Sequence, residues 1–362
     1  MKSLALGLGA LLLTSTAVLA QEEPVLNLFN WSDYRADDTL DNFTKETGIK
    51  VVESNYDSNE MLEGKLVAGS SGYDVVVPSA YFLQHQIPLG IYQKLDKSKL
   101  PNLKNMDPSV MKALAAFDPD NQYAVDYMRY STGLGYNVDA VKKLFPDAPL
   151  DSWALLFDPK NAAKFKDCGI TVLDSPADVL PVAMIYLGLD PNSEKPEDLQ
   201  KATDLLASVA PYIRKYDSSG YIDDLANGDA CLSLGYSGDV YIAKDRATQA
   251  GKGVNVQYFI PKEGSYASYD VLAIPADAPH PENALKFINY LMEPKAIADA
   301  SNAVFYANGN AAALALVDPT ISGDPNIYPS PEMQAKLVGL KTHSQDFTRL
   351  MTRAWTKIKT GQ

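Results

Sequence analysis

Apolar and polar positions along the chain alternate between two periods, and the alternation predicts an α/β fold. "VLNLFNW" at 25–31 reads as a buried strand. "DDTLDNFTKETG" then reads as a helix that Asp37 or Asp38 can cap and Gly48 can stop. "IKVVESNY" predicts a second strand and "SNEMLEGKLVAG" a helix opening on Ser58 or Asn59. "YDVVVPS" predicts a third strand, stopped by Pro78, before a helix in "AYFLQHQIPLG". Strand, helix, strand, helix, strand is one half of a parallel sheet, and such sheets take ligands beyond the carboxyl ends of their strands. "NWSDY" follows the first strand and "PSAYF" the third, so both face one rim.

The pattern continues through "YAVDYMRYSTGLGYNV", read as a strand crossing to a second lobe, with Gly133 and Gly135 giving it hinge-like freedom. "VNVQYFIPKEGSYASYDVLAIP" reads as strands returning to the first lobe, and "HPENALKFINYLMEPKAIADASNAV" as two helices. Lobe one is expected from 24–130 plus 253–304 and lobe two from 131–252 plus 305–362. The two would enclose a cleft. No internal repeat, low-complexity tract or long linker interrupts them.

Residues 1–20 carry one charge, Lys2, before an apolar run that ends Val18-Leu19-Ala20, the pattern of a cleaved signal peptide. The run is too short for a membrane anchor, so a protein exported to the periplasm is expected. The 362 residues carry 32 basic and 45 acidic side chains, a net charge of −13. That sign argues against nucleic acid as a partner and weakly favours cationic ligands. In an oxidising compartment a Cys168–Cys231 disulfide is the simple reading, stabilising by roughly 4 kcal/mol through loop closure. Two buried free thiols are the alternative. The histidines His85, His280 and His343 are scattered, and no metal site is expected.

Chemistry-bearing residues collect at strand ends: Trp31, Ser32, Asp33 and Tyr34; Ser79 and Tyr81; Asp178; Tyr236, Ser237 and Asp239; Tyr266, Ser268, Tyr269 and Asp270; and Tyr306. Carboxylates interleaved with aromatic rings suit an alkylammonium: acids pair with the ammonium groups, and ring faces attract the cation and line its methylenes. Each has a plainer use. Asp33 could cap the helix near 37, Asp178 and Asp239 could serve helix N-termini, and Tyr236 and Tyr306 could be core rings.

The stretches "FNWSDYRADDTLDNFTKETGIKV", "DSNEMLEGKLVAGSSGYDVVVPSAYFL", "LDKSKLPNLKN", "DLANGDACLSLGYSGDVY", "YDVLAIPADA" and "FYANGNAA" resemble the periplasmic polyamine-binding proteins of ABC importers, the putrescine receptors above all. The resemblance runs from about residue 27 to the C terminus. It implies a two-lobed, hinge-closing periplasmic binding protein fold (type II) of mixed, mostly parallel sheets flanked by helices. It implies a monomeric receptor without cofactor or catalysis, which takes a small cationic amine and delivers it to membrane permease subunits. By position, Ser32 and Asp33 fall on an amine-binding motif with Trp31 and Tyr34 beside it. Ser79, Asp178, Tyr236, Asp239, Asp270 and Tyr306 fall on further ligand positions, and Cys168 and Cys231 on a disulfide pair.

Three departures stand out. Arg129 replaces a tryptophan of the relatives, Ser268 an aromatic residue, and Asp178 a glutamate. An arginine in the cleft would receive a carboxylate, so an ω-amino acid such as 4-aminobutyrate or 5-aminovalerate is an alternative ligand to a diamine. Structural neutralisation of an acid is the other use of Arg129. A hydrolase is a remote alternative, because "GYSGD" lacks the spacing of a nucleophile elbow. An iron receptor would use clustered tyrosines, yet among 21 Tyr no two are adjacent.

Overall fold

A computed structural model describes residues 22–361; the expected signal peptide lies outside them. Among the described residues ten strands are present: β1 Val25–Trp31, β2 Lys50–Tyr56, β3 Val75–Val76, β4 Ala124–Asn137, β5 Ile170–Val172, β6 Lys215–Tyr216, β7 Leu232–Tyr236, β8 Val256–Phe259, β9 Ser265–Ala273 and β10 Leu337–Gly339. They join in the order β2-β1-β3-β9-β4-β7-β5-β6, with β10 beside β9 and β8 beside β4. β1 is parallel to β2 and β3, and β5 to β6 and β7. The central partners β3–β9, β9–β4 and β4–β7 are antiparallel.

β4 joins the two halves. Its residues 124–131 pair with β9, and 132–136 pair with β7. The pairing shifts register between Asp126 and Met128. β8 runs against Leu134–Asn137, so the 253–304 segment begins in the second half of the sheet before β9 enters the first. Gly133 and Gly135 have a different reason from hinge freedom. A Cβ at Gly133 would lie 2.5 Å from the Phe259 carbonyl oxygen, and one at Gly135 would lie 2.7 Å from Val240. The strand is smooth there so that neighbours can pack onto it.

Local signals act largely as expected. Gly48 ends helix Thr39–Thr47 at φ 74°, and the Ser58 side chain accepts from Met61 N at the start of helix Asn59–Val67. The final helix, Gln345–Thr360, buries Phe347, Met351, Trp355 and Ile358, a stripe at helical spacing. Trp355 Nε1 donates to Asp174 on the second half. Cys168 and Cys231 form a disulfide with Cα atoms 5.7 Å apart, tying the chain before β5 to the start of β7.

Candidate functional site

A narrow slot of about 30 Å³ lies where strand ends of both lobes meet. It is lined by Trp31, Ser32 and Tyr34 after β1, Tyr56 ending β2, Tyr130 on β4, Asp270 on β9, and Ser218, Ser219, Ile222, Tyr236, Asp239 and Tyr306. Trp31, Tyr56 and Tyr236 end strands, Ser32, Tyr34 and Ser218 follow strands, Tyr130 and Asp270 lie within β4 and β9, and Tyr306 follows helix Pro294–Val304.

Three buried carboxylates organise the slot and its walls. Asp270 accepts from Tyr34 Oη and Ser79 Oγ, each at 2.7 Å. Asn59 holds Ser79 in turn, donating to its Oγ at 3.0 Å. Asp239 accepts from Tyr221 Oη at 2.8 Å and Tyr306 Oη at 2.5 Å. Asp178 accepts from Tyr236 at 2.8 Å, Tyr266 at 2.5 Å and Tyr81 at 3.4 Å. All three are at most 8% exposed. Among the described residues none of them forms an ion pair with a cationic side chain. Their hydrogen bonds come from neutral hydroxyls.

Burial without a counter-charge has the expected effect on protonation. Desolvation raises Asp239 to about 6, against the phenol hydrogen bonds that lower it. Desolvation raises Asp270 to about 7, with Asp178 adding to the rise. Asp178 is raised for the same first reason. Tyr34 and Tyr306 are raised well above 10 by burial and by the acids they serve, so they remain hydroxyl donors.

Aromatic rings close the remaining sides. Trp31 and Tyr56 lie 4.6 Å apart by centroid, and Trp31 Nε1 donates to the Val77 carbonyl oxygen. Tyr34 meets Tyr306 edge-on at 4.9 Å, and Tyr130 meets Tyr236 edge-on at 5.1 Å. Gly238 permits this packing, since a Cβ there would fall 2.0 Å from the Tyr306 ring.

Several expected residues sit elsewhere. Asp33 is exposed and adopts φ 53°, a left-handed conformation that Asp tolerates. It neither lines the slot nor caps a helix, since Asp38 precedes Thr39–Thr47. Its carboxylate takes Arg246 Nη2 at 2.7 Å across the interlobe gap, and Arg246 also reaches Asp223 at 2.9 Å. Arg129 is turned away from the cleft. In the paired strands Arg129 faces Tyr269 and Tyr130 faces Ser268. Successive strand side chains take opposite faces, and Tyr130 is the one that lines the slot. Arg129 instead donates to the Asn308 carbonyl oxygen at 2.9 Å and lies 6.0 Å from the Tyr328 ring. Ser268 stands behind Tyr130 rather than on the slot surface. Ser237 Oγ accepts from Ser131 N at 3.3 Å, a structural use of the hydroxyl.

The slot also includes residues the sequence reading passed over: Tyr56, Tyr130, Ser218, Ser219 and Ile222, with Tyr221 behind Asp239. Tyr130 was within reach, because strict alternation along β4 admits either it or Arg129 to the cleft and not both.

Known proteins resemble the chain over nearly its whole length. The putrescine-binding periplasmic protein PotF of Escherichia coli is 52% identical over 356 residues, 98% of this chain and 96% of its own. SpuD of Pseudomonas aeruginosa, also a putrescine-binding periplasmic protein, is 52% identical over 351 residues, 96% of each chain. The crystal structure of the spermidine/putrescine ABC transporter substrate-binding protein PotD of Streptococcus pneumoniae has a TM-score of 0.72 at 25% identity, over 92% of this chain and 98% of its own. Residues 38–329 match the family described as bacterial extracellular solute-binding protein, and the chain belongs to that family.

Proposed function

We propose that the chain is a periplasmic receptor of an ABC importer that captures a diamine of about putrescine length between its lobes and hands it to membrane permease subunits. The observation that carries this reading is the set Asp178, Asp239 and Asp270: buried carboxylates supplied with hydroxyl donors and no protein cation. A buried acid in that condition either keeps its proton or takes a cation from outside. Two ammonium groups joined by methylenes offer both the charges and an apolar body for the rings. The names of the two 52%-identical relatives support the same ligand class.

Asp239 and Asp270 line the slot and are the acids for the ammonium groups. Asp178 lies behind Tyr236 and orients that ring. Ser32 offers a hydroxyl at the rim. Asp33 acts through Arg246, holding the lobes together over the ligand. The slot is narrow, so a diamine enters with the lobes apart and is enclosed as they close. The role is binding without chemical change, with the slot acids serving as charge partners for the ligand.

The ω-amino acid alternative depended on Arg129 in the cleft, and Arg129 faces the other side of β4. A thermal-shift panel of putrescine, cadaverine, spermidine, agmatine, 4-aminobutyrate and 5-aminovalerate tests the assignment. Diamines should raise the midpoint most. A rise with the amino acids and none with the diamines would sink the reading.

A further inference from the structure

A second cavity, of about 360 Å³, is lined in part by Tyr81 and shares no lining residue with the slot. Its walls come from both lobes. Helices Asn59–Val67 and Ala80–Gln86 form one side; Pro176, Ala177, residues 341–343 and helix Gln345–Thr360 form the other. The volume is within the range of small-molecule sites.

The chemistry of its lining is directional. Val67, Phe82, Pro176 and Met351 supply apolar surface, and Glu60 and Glu63 supply carboxylates. The Glu63 oxygens are engaged, by His85 Nε2 at 3.4 Å and Gln86 Nε2 at 3.1 Å. Glu60 is different. One oxygen accepts from Ser175 Oγ at 3.5 Å and the other is buried without a hydrogen-bond partner, the backbone N–H groups of Glu60 and Ala177 lying near the carboxyl. An orphaned buried carboxylate oxygen demands an explanation. Desolvation, followed by the nearness of Asp178, pushes the Glu60 carboxyl up to about 8, so a cation beside it would serve two acids. His343, also on the wall, is held toward its neutral form by burial and does not oppose a cation, while Lys341 lies on the exposed rim.

We propose that this cavity is a second amine site, which takes a primary alkylammonium with its charge beside Glu60 and its short apolar chain along Val67, Phe82 and Met351. Tyr81 lines this cavity, and its hydroxyl reaches Asp178, the acid that accepts from Tyr236 of the slot. Because the walls come from both lobes, an occupant favours the closed arrangement independently of the slot ligand.

The probe is n-butylamine, titrated calorimetrically into the full mature protein, alone and with saturating putrescine. One equivalent should bind in both cases and should still bind to Asp239→Asn, whose slot is impaired. Glu60→Gln should weaken butylamine at least tenfold. Gly64→Trp provides a second variant that leaves the acids intact. Gly64 lines the cavity, and a Cβ there meets no atom within 4 Å, so the indole has room to occupy the space. It too should abolish butylamine binding. Three results would overturn the proposal: no binding to the wild type, loss of binding when putrescine is present or in Asp239→Asn, or unchanged binding in both Glu60→Gln and Gly64→Trp. Failure of the diamine reading is separate, since it shows as absent putrescine binding while butylamine still binds.

Discussion

The protonation of the slot acids sets a quantitative expectation for diamine binding. An ammonium ligand needs Asp239 and Asp270 ionised, and the folded protein holds them near 6 and 7. The ligand's own amines, like lysine, stay charged throughout pH 5 to 8. Below its pKa a carboxyl costs about 1.4 kcal/mol to ionise per pH unit. At pH 5 that amounts to about 1.4 kcal/mol for Asp239 and about 2.7 kcal/mol for Asp270. Together this is ~4 kcal/mol, or about a thousandfold in affinity relative to alkaline conditions. Asp239→Asn keeps the shape and one acceptor for Tyr221 or Tyr306 but removes the charge. Loss of a desolvated charge partner should cost about 2–5 kcal/mol at pH 7.5. Calorimetry in two buffers of different ionisation enthalpy counts the protons released. The wild type should approach two per putrescine near pH 5.5, and the variant should approach one. Wild-type affinity that is flat from pH 5 to 8, or a variant within threefold of wild type, would refute the electrostatic account.

Stability of the ligand-free protein should move the opposite way with pH. Asp239 and Asp270 hold protons more tightly folded than unfolded, so their contribution is complete below the unfolded value near 4 and is lost as pH rises through about 6 and 7. The melting midpoint should fall between pH 5 and 8 without ligand and should not fall with saturating diamine; calorimetric scans at fixed ionic strength measure both. Arg246→Ala removes the interlobe partner of exposed Asp33, so it should speed ligand release several-fold in stopped-flow while leaving the melting midpoint nearly unchanged, and added salt should mimic it in the wild type. Gly238→Ala should displace the Tyr306 ring, which a Cβ would approach to 2.0 Å, and weaken diamine binding at least tenfold by titration.

Much of this was legible in the chain. Strand-end clustering pointed to Trp31, Ser32, Tyr34, Tyr236, Asp239, Asp270 and Tyr306, and all seven line one slot. What escaped was information about faces and partners. Arg129 and Tyr130 are adjacent, and only the register of β4 against β9 says which one turns into the cleft. Asp33 sits beside the motif in sequence, yet its left-handed backbone carries the carboxylate outward to Arg246, 213 residues away. Glu60 reads as an ordinary first-turn acid, because the hydrogen-bonding groups near it, Ser175 and Ala177, come from the other lobe. Gly133 and Gly135 read as flexible, since nothing local reveals Tyr258, Phe259 or Val240 packed against them.

The order of strands has a consequence for how the chain is made. β3 has β9 as its inner neighbour, with Val76 opposite Ala273. That partner is synthesised about 200 residues later, or about 10–40 s at ordinary elongation rates. Until it arrives, the opening three strands have no bridge to β4, and the first lobe cannot complete its sheet. The pairings that finish the molecule are therefore among the most distant in sequence, and such pairings form slowly. A nascent chain of this topology cannot close its first lobe until most of it has been made, so the strand order works as a built-in delay on folding.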